Sequence, residues 1–445
     1  MDGSVASPFP ATRKGWLDRA VSFFAPVRAG EGATALLLAS NVFLLLASYY
    51  ILKTVRESLI LTEGGAEVKS YSAAGQALLL LLVVPAYGAF ASKVTRMRLI
   101  AGVTLFFVSN LLIFVLLGGQ GVPVGVAFFL WVGIFNVLVI AQFWSFANDV
   151  YTEEQGKRLF AIVGVGSSLG AWVGAYTAGV LFSRMGPFQL MLLSAVLLFA
   201  CVGFSYLVNQ RESLRRSAKG LQSSEPLGKE GGFQMVLNNR YLLLIALLIV
   251  ILNVVNTTGE FLLGKLVVDA ANQAAALSAD PEAFKQAFIG KFYGNFFSWV
   301  NLLGFLFQLF LVSRIFKYLG VRGALFILPC IAMGGYALLA TLPVLGVVRI
   351  AKVLENSTDY SIQNTARHAL FLPTSREAKY KAKAAIDTFF WRTGDMLQAV
   401  VVFAGTRLAF SVSHFAALNI FFVLVWLCVA GLIYREHKKL SPEQT

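Results

Sequence analysis

The sequence predicts an all-α polytopic membrane protein of about twelve transmembrane helices, arranged as two bundles of six. Three observations predict it. Of the 445 residues, 57% are hydrophobic and only 13% charged, with a mean hydropathy of +0.71; a soluble chain carries about 25% charge to keep its surface solvated. Apolar runs long enough to cross about 30 Å of hydrocarbon at about 1.5 Å per residue recur along the chain. One polar stretch, Asn209 to Asn238, divides them into two sets.

The first set is expected near 33–61, 70–92, 97–118, 122–150, 159–183 and 187–208, the second near 239–267, 287–316, 321–342, 343–372, 380–407 and 411–434. Basic segments separate alternate spans. Residues 93–98 follow the second span, Lys157 and Arg158 follow the fourth, and Arg211, Arg215, Arg216, Lys219, Lys229 and Arg240 lie between the halves. The 314–322 and 376–383 loops follow the eighth and tenth. With Arg13, Lys14, Arg19 and Arg28 before the first span and the cations of the C-terminal tail, these hold about 25 of the 37 Lys and Arg. The opposite connections hold only Lys69, Arg184, Lys285 and Arg407. The bias places both termini in the cytoplasm, with the chain in the inner (cytoplasmic) membrane. The expected organisation is a tail over 1–32 with an interfacial helix within Trp16–Val27, a bundle over 33–208, a linker over 209–238, a bundle over 239–434 and a tail over 435–445. No cleavable signal is expected, because the first apolar run starts some 30 residues in and is long enough to span.

Composition also excludes several functions. The formal net charge is +14, which in a soluble protein would suggest nucleic acid; topology accounts for most of it here, and no nucleic-acid partner is expected. Cys201, Cys330 and Cys428 lie in apolar runs, and His368, His414 and His437 are scattered. That excludes a disulfide scaffold and argues against a metal cluster or other cofactor. No nucleophile–base pair suggests an enzyme, and no GxxxxGK[ST] segment suggests ATP hydrolysis. Gly166, Gly170 and Gly174 form a GxxxGxxxG stripe of the kind that lets helices pack closely.

Eight cations remain that topology does not explain: Lys53, Arg56, Lys265, Lys291, Arg349, Lys352, Arg367 and Arg392, all within or at the ends of spans. Charge in hydrocarbon is costly, so such ions face a bundle interior or a wet cavity. In the first span Tyr49, Lys53 and Glu57 share a face, with Arg56 beside it. The seventh contributes Asn253, Asn256 and Glu260. The tenth carries a stripe of Arg349, Lys352, Glu355 or Asn356, Asp359, Gln363 and Arg367, and the eleventh adds Asp387, Arg392 and Asp395. Tyr49, Lys53, Arg56, Asn253, Asn256, Arg349, Lys352 and Arg392 are candidates for holding an anion in a cavity between the halves. Phosphate suits such a set, since Arg grips it bidentately and Lys supplies a point charge. Glu57, Asp149, Glu260, Glu355, Asp359, Asp387 and Asp395 are the candidates for gating or charge pairing. The competing reading is that the ions pair with one another and lock the helices.

Two sets of six helices around a basic linker suggest the major facilitator architecture. Three stretches also carry a family resemblance. They are Tyr50-Ile51-Leu52-Lys53-Thr54-Val55-Arg56-Glu57-Ser58-Leu59, then Phe143-Trp144-Ser145-Phe146-Ala147-Asn148-Asp149 continuing to Lys157-Arg158, and Pro373 through Lys381, Lys383 and Asp387 to Arg392. In these the chain resembles the ATP:ADP antiporters of plastids and intracellular bacteria and their free-living bacterial relatives. The resemblance implies a secondary transporter that exchanges nucleotides, a small anionic substrate, and roles for Lys53 and Arg56. Two segments depart from it. The exchangers follow the eleventh-span arginine with Lys-Ser-Gly-Gly, where this chain has Thr393-Gly394-Asp395; and Glu260 is followed by Phe261-Leu262-Leu263-Gly264-Lys265 rather than closely by a Trp-Lys pair. Another organic anion, a lipid headgroup or a peptide-like solute, coupled to protons through Glu57, Glu260 or Asp359, is the alternative cargo. A monomer in the lipid bilayer is expected.

Overall fold

A computed structural model describes residues 15–22, 26–91, 93–216, 232–375 and 377–440, and all regular structure among them is helical. A short α1 (Trp16–Val21) precedes five long elements: α2 (Gly32–Glu63), α3 (Gly65–Ala91), α4 (Arg96–Gly119), α5 (Gly125–Val150) and α6 (Glu153–Arg216). The second half follows as α7 (Gly232–Asn238), α8 (Arg240–Ala275), α9 (Pro281–Phe310), α10 (Val312–Ala324), α11 (Ile327–Thr341) and α12 (Leu345–Thr358). It ends with α13 (Asn364–Ala369), α14 (Lys383–Ala385), α15 (Trp391–Arg407) and α16 (Val412–Leu440). Short π-helical segments at Asp359–Gln363, Ala378–Ala382 and Ile386–Phe390 splice α12 to α13 and α14 to its neighbours.

Two glycines in left-handed backbone reverse the chain within α6 and α10. Gly186 (φ 69°), followed by Pro187, splits α6 into two antiparallel passes, and Gly320 (φ 67°) breaks α10 before the chain rises into α11. With α12 and α13 as one pass, the described residues make twelve passes. Seven helices are long and apolar enough to cross a membrane on composition alone. The α12 and α15 passes are not among them: adjoining π-helical segments cut their α-helical stretches to 14 and 17 residues.

Two details differ from expectation. The N-terminal helix stops at Val21, and Asp18, buried beneath it, accepts from the backbone N–H of Gly15, Gly30 and Gly32, tying it to the start of α2. An anion at a helix N-terminus is favoured there. The second span begins at Gly65 rather than 70, because Gly65 (φ 72°) makes the turn after α2 in a single step. This puts Lys69 inside a span instead of in a loop. The loop cations Arg13, Lys14, Lys219, Lys229 and Arg376 lie outside the described residues.

Close packing fixes the frame. Gly166, Gly170 and Gly174 press α6 against the α2 backbone: a Cβ on Gly170 would sit 2.3 Å from the Phe43 carbonyl oxygen, and one on Gly174 equally close to that of Ala47. Between the halves, Gly294 of α9 meets Gly179 of α6, where a Cβ would lie 2.4 Å from backbone. Glu63 caps α5, accepting from the N–H of Gly125 at 2.6 Å. The halves also join through Ser58 to the Gln286 carbonyl (2.6 Å), Gln398 to Ser70 (3.2 Å) and Leu61 beside Gly264. These contacts lie toward the end opposite both termini.

At the terminus side, Glu31 accepts from Arg158 through both oxygens at 3.1 Å, from Gln155 and from the Arg28 N–H. Burial raises its pKa, but the Arg158 and backbone hydrogen bonds outweigh burial and hold it below the ordinary glutamate value. A depressed carboxylate contributes stability that is complete above the unfolded pKa and is lost as pH falls through the folded one. Glu31→Gln is therefore expected to flatten the acid limb of a melting-temperature profile while changing its neutral plateau less; an unchanged acid limb contradicts this. Gly170→Val forces α2 and α6 apart and is expected to cost about 1–3 kcal/mol, visible as a lower melting temperature in detergent.

Candidate functional site

The site begins with α2. Its helical period carries Lys53, Arg56 and Glu57 to the side that faces the second half, where they line a cavity of about 190 Å³. Across it α8 presents Asn256 and Glu260, and α12 presents Asn356 together with Tyr360 of the adjoining π-helical turn. Lys69 and Ser70 of α3 and Gln398 of α15 close the remaining sides.

Five ions border this space, and four of them are joined. Arg56 contacts Glu57 at 2.5 Å, and Lys69 contacts Glu57 at 2.6 Å and Glu260 at 3.8 Å. Lys69 thus ties a carboxylate of the first half to one of the second. Glu260 also accepts from Asn356 at 2.9 Å. Lys53 is different. Among the described residues it makes no ion pair or hydrogen bond; its ammonium lies over the rings of Phe297 (4.3 Å), Tyr50 (5.2 Å) and Tyr360 (6.0 Å). Three cations against two carboxylates leave one positive charge, and it resides on Lys53. Aromatic faces stabilise an ammonium without neutralising it, so the cavity keeps an unspent attraction for an anion.

The other sequence candidates divide. Asn256 lines the cavity. Lys352 does not: it is fully buried behind the wall, donating to the Asn256 side chain (2.5 Å) and carbonyl (3.1 Å), paired with Glu355 at 3.2 Å and 3.9 Å from Glu260. Glu355 accepts from Tyr336 at 3.0 Å. Asn253 joins α8 to α15 through Asp395 (2.8 Å) and the Trp391 carbonyl (2.7 Å), while Arg392 pairs with Asp395 at 3.1 Å. These are locks between helices. Tyr49 packs in the wall on Phe135 and Tyr50. Arg349 bonds Asn295 at 2.5 Å in a separate groove. Asp149 pairs with Arg96 at 3.5 Å, and Asp387 with Lys383 at 3.0 Å, both largely toward the surface. Asp359 is buried, and its Oδ1 has no hydrogen-bond partner.

Sequence reasoning missed Lys69, Phe297, Phe129 and Gln398. Phe129 supports Arg56 from 4.6 Å. The available signal for Lys69 was the Gly64-Gly65 pair, which folds α3 straight back along α2 toward Glu57. Phe297 and Gln398 carry no such signal, since nothing in their own helices marks which face meets Lys53.

The sequence profile described as TLC ATP/ADP transporter matches residues 127–437. The chain is 25% identical over 347 residues to ADP,ATP carrier protein 1 of Chlamydia trachomatis, covering 66% of this chain and 62% of that protein. It is 24% identical over 354 residues to ADP,ATP carrier protein 4 of Rickettsia bellii (68% and 65%), and 20% identical over 336 residues to the chloroplastic ADP,ATP carrier protein 1 of Arabidopsis thaliana (69% and 53%). The matched regions thus span less than two thirds of those relatives. Among solved structures, the fold is similar to the nucleoside transporter NupG (TM-score 0.62, 12% identity, 90% of this chain and 98% of that one). It is also similar to a bacterial homologue of the iron transporter ferroportin (0.62, 14%, 90% and 98%). The profile match covers more than half of the sequence: the chain belongs to the TLC ATP/ADP transporter family.

Proposed function

We propose that this protein is a secondary antiporter that moves a phosphate-bearing anion, a nucleotide such as ATP or ADP, by alternating access of two six-helix halves (33–208 and 239–434, joined by 209–238). One observation carries the reading: Lys53 stands unpaired in a cavity between the halves. The names of the curated relatives supply the nucleotide. In this reading a substrate phosphate pairs with Lys53 and competes with Glu57 and Glu260 for Arg56 and Lys69. Releasing Lys69 from either carboxylate unties the halves, so binding and reorientation are coupled. An empty cavity keeps its surplus charge, which disfavours return without cargo and makes exchange the natural mode. At about 190 Å³ the space is below the roughly 300–1,000 Å³ of small-molecule sites; it takes the phosphate end, and the halves part for the rest. The protein acts as a carrier rather than an enzyme, as a monomer in the inner membrane with both termini cytoplasmic.

A specific observation favours a second cargo. In α15 the Arg392 guanidinium is tied to Asp395, which Asn253 also holds, and Asp359 is buried with an unpartnered oxygen. A proton-coupled transporter of another organic anion would use such a carboxylate.

Purified protein in liposomes loaded with unlabelled ADP should take up labelled ATP by counterflow. Lys53→Ala should lower apparent affinity by roughly 10- to 150-fold, the value of about 1.5–3 kcal/mol for a charged hydrogen bond. Because Lys53 leaves no carboxylate orphaned, its melting temperature should hold. Lys352→Met, by contrast, strands Glu355 and should destabilise by about 3–5 kcal/mol. Absence of nucleotide counterflow, with pH-gradient-driven uptake of another anion that Asp359→Asn abolishes, would replace the first reading with the second.

A further inference from the structure

We infer that the protein carries a second anion site, outside the central cavity, that binds the phosphate group of an anionic lipid at the membrane face opposite the termini. The site is a groove of about 650 Å³ where α6 and α9 separate above the Gly179–Gly294 contact and α12 starts alongside. Three cations meet in it: Arg184, just before the α6 break; Lys291 of α9; and Arg349, four residues after the start of α12 and so about 6 Å along its axis.

No carboxylate lines the groove, and among the described residues none of the three makes an ion pair. Arg349 is nonetheless held: Asn295 accepts from it at 2.5 Å, and its guanidinium lies over Phe292 at 5.6 Å. A guanidinium fixed by an amide and a ring keeps further N–H groups for a phosphate oxygen.

Its placement argues for a lipid. This end of the molecule is poor in cations by sequence, so three in one groove are not a by-product of topology. Arg184, two residues before the α6 break, and Arg349, four residues into α12, lie near the ends of their passes, where headgroups lie, and Lys291, ten residues into α9, faces the same groove. Beside them the groove is walled by Tyr176, Val180 and Phe288, with Tyr176 57% and Val180 49% exposed. Apolar wall and cationic rim match an acyl chain under a phosphodiester, whose negative charge basic side chains at the membrane surface attract. A lipid seated there would bridge α6 and α12, which belong to opposite halves, and so stabilise the state in which they meet at this end.

The test is thermal unfolding in detergent micelles doped with phosphatidylglycerol, with phosphatidylcholine, or supplemented with inorganic phosphate. Phosphatidylglycerol should raise the melting temperature of the wild type above phosphatidylcholine, and the increment should vanish in Arg184→Gln/Lys291→Gln, both exposed positions. It should return in Arg184→Lys/Lys291→Arg and persist in Lys53→Ala. A rise with inorganic phosphate that the double variant also loses would keep the site and assign it a soluble phosphate. An increment that is absent, or equal in wild type and the double variant, overturns the proposal. Adding Arg349→Gln extends the loss; if that variant melts low in phosphatidylcholine, the double variant alone decides.

Discussion

A charge placed in hydrocarbon must find a partner, and the interior of this protein is organised around that requirement. Arg56, Glu57, Lys69, Glu260, Lys352 and Glu355 form a chain of alternating sign from α2 through α3 and α8 to α12. Removing one member would strand its neighbours, since an unpaired buried ion costs more than the pair contributes. The helices that carry these residues are therefore fixed relative to one another by electrostatics as well as by glycine contacts. Lys53 is an exception, as is the buried Asp359, and the isolation of Lys53 is tolerated because three aromatic rings surround it.

The position of Lys69 gives the network its mechanical meaning. It comes from α3, which packs on α15, and contacts carboxylates from both halves. A ligand anion that replaces either carboxylate alters a link between halves rather than within one. Under the proposed function, the paired ions and the substrate site are the same device in two occupancies. The Lys352 and Arg392 assemblies, by contrast, are confined to the second half and serve to hold α8, α12 and α15 as one body.

Much of this was legible. Hydropathy and the loop cations defined the membrane class, and the resemblance at Lys53 and Arg56 picked two residues that line the cavity. Helical spacing alone could not separate Lys53 from Lys352, because both are cations on polar faces; the difference is that Asn256 and Glu355 happen to meet Lys352, whereas rings meet Lys53. Likewise Arg349 shares the α12 stripe with Lys352 and lies in another groove, since a stripe about five turns long follows the helix past more than one neighbour. Lys69 escaped notice because an outside loop was expected where Gly65 makes a one-step turn.

The sequence by itself determined the environment: its apolar excess compels membrane burial, its cation asymmetry biases orientation, and its glycines at intervals of four permit α6 to lie against α2. These are properties of single helices and their flanks, readable from local order. Tertiary structure alone decided which charges neutralise each other, because pairing depends on distances between helices far apart in the chain. Of the surplus first visible as a net charge of +14, it left one cation in the central cavity and three in an outer groove without an acidic partner.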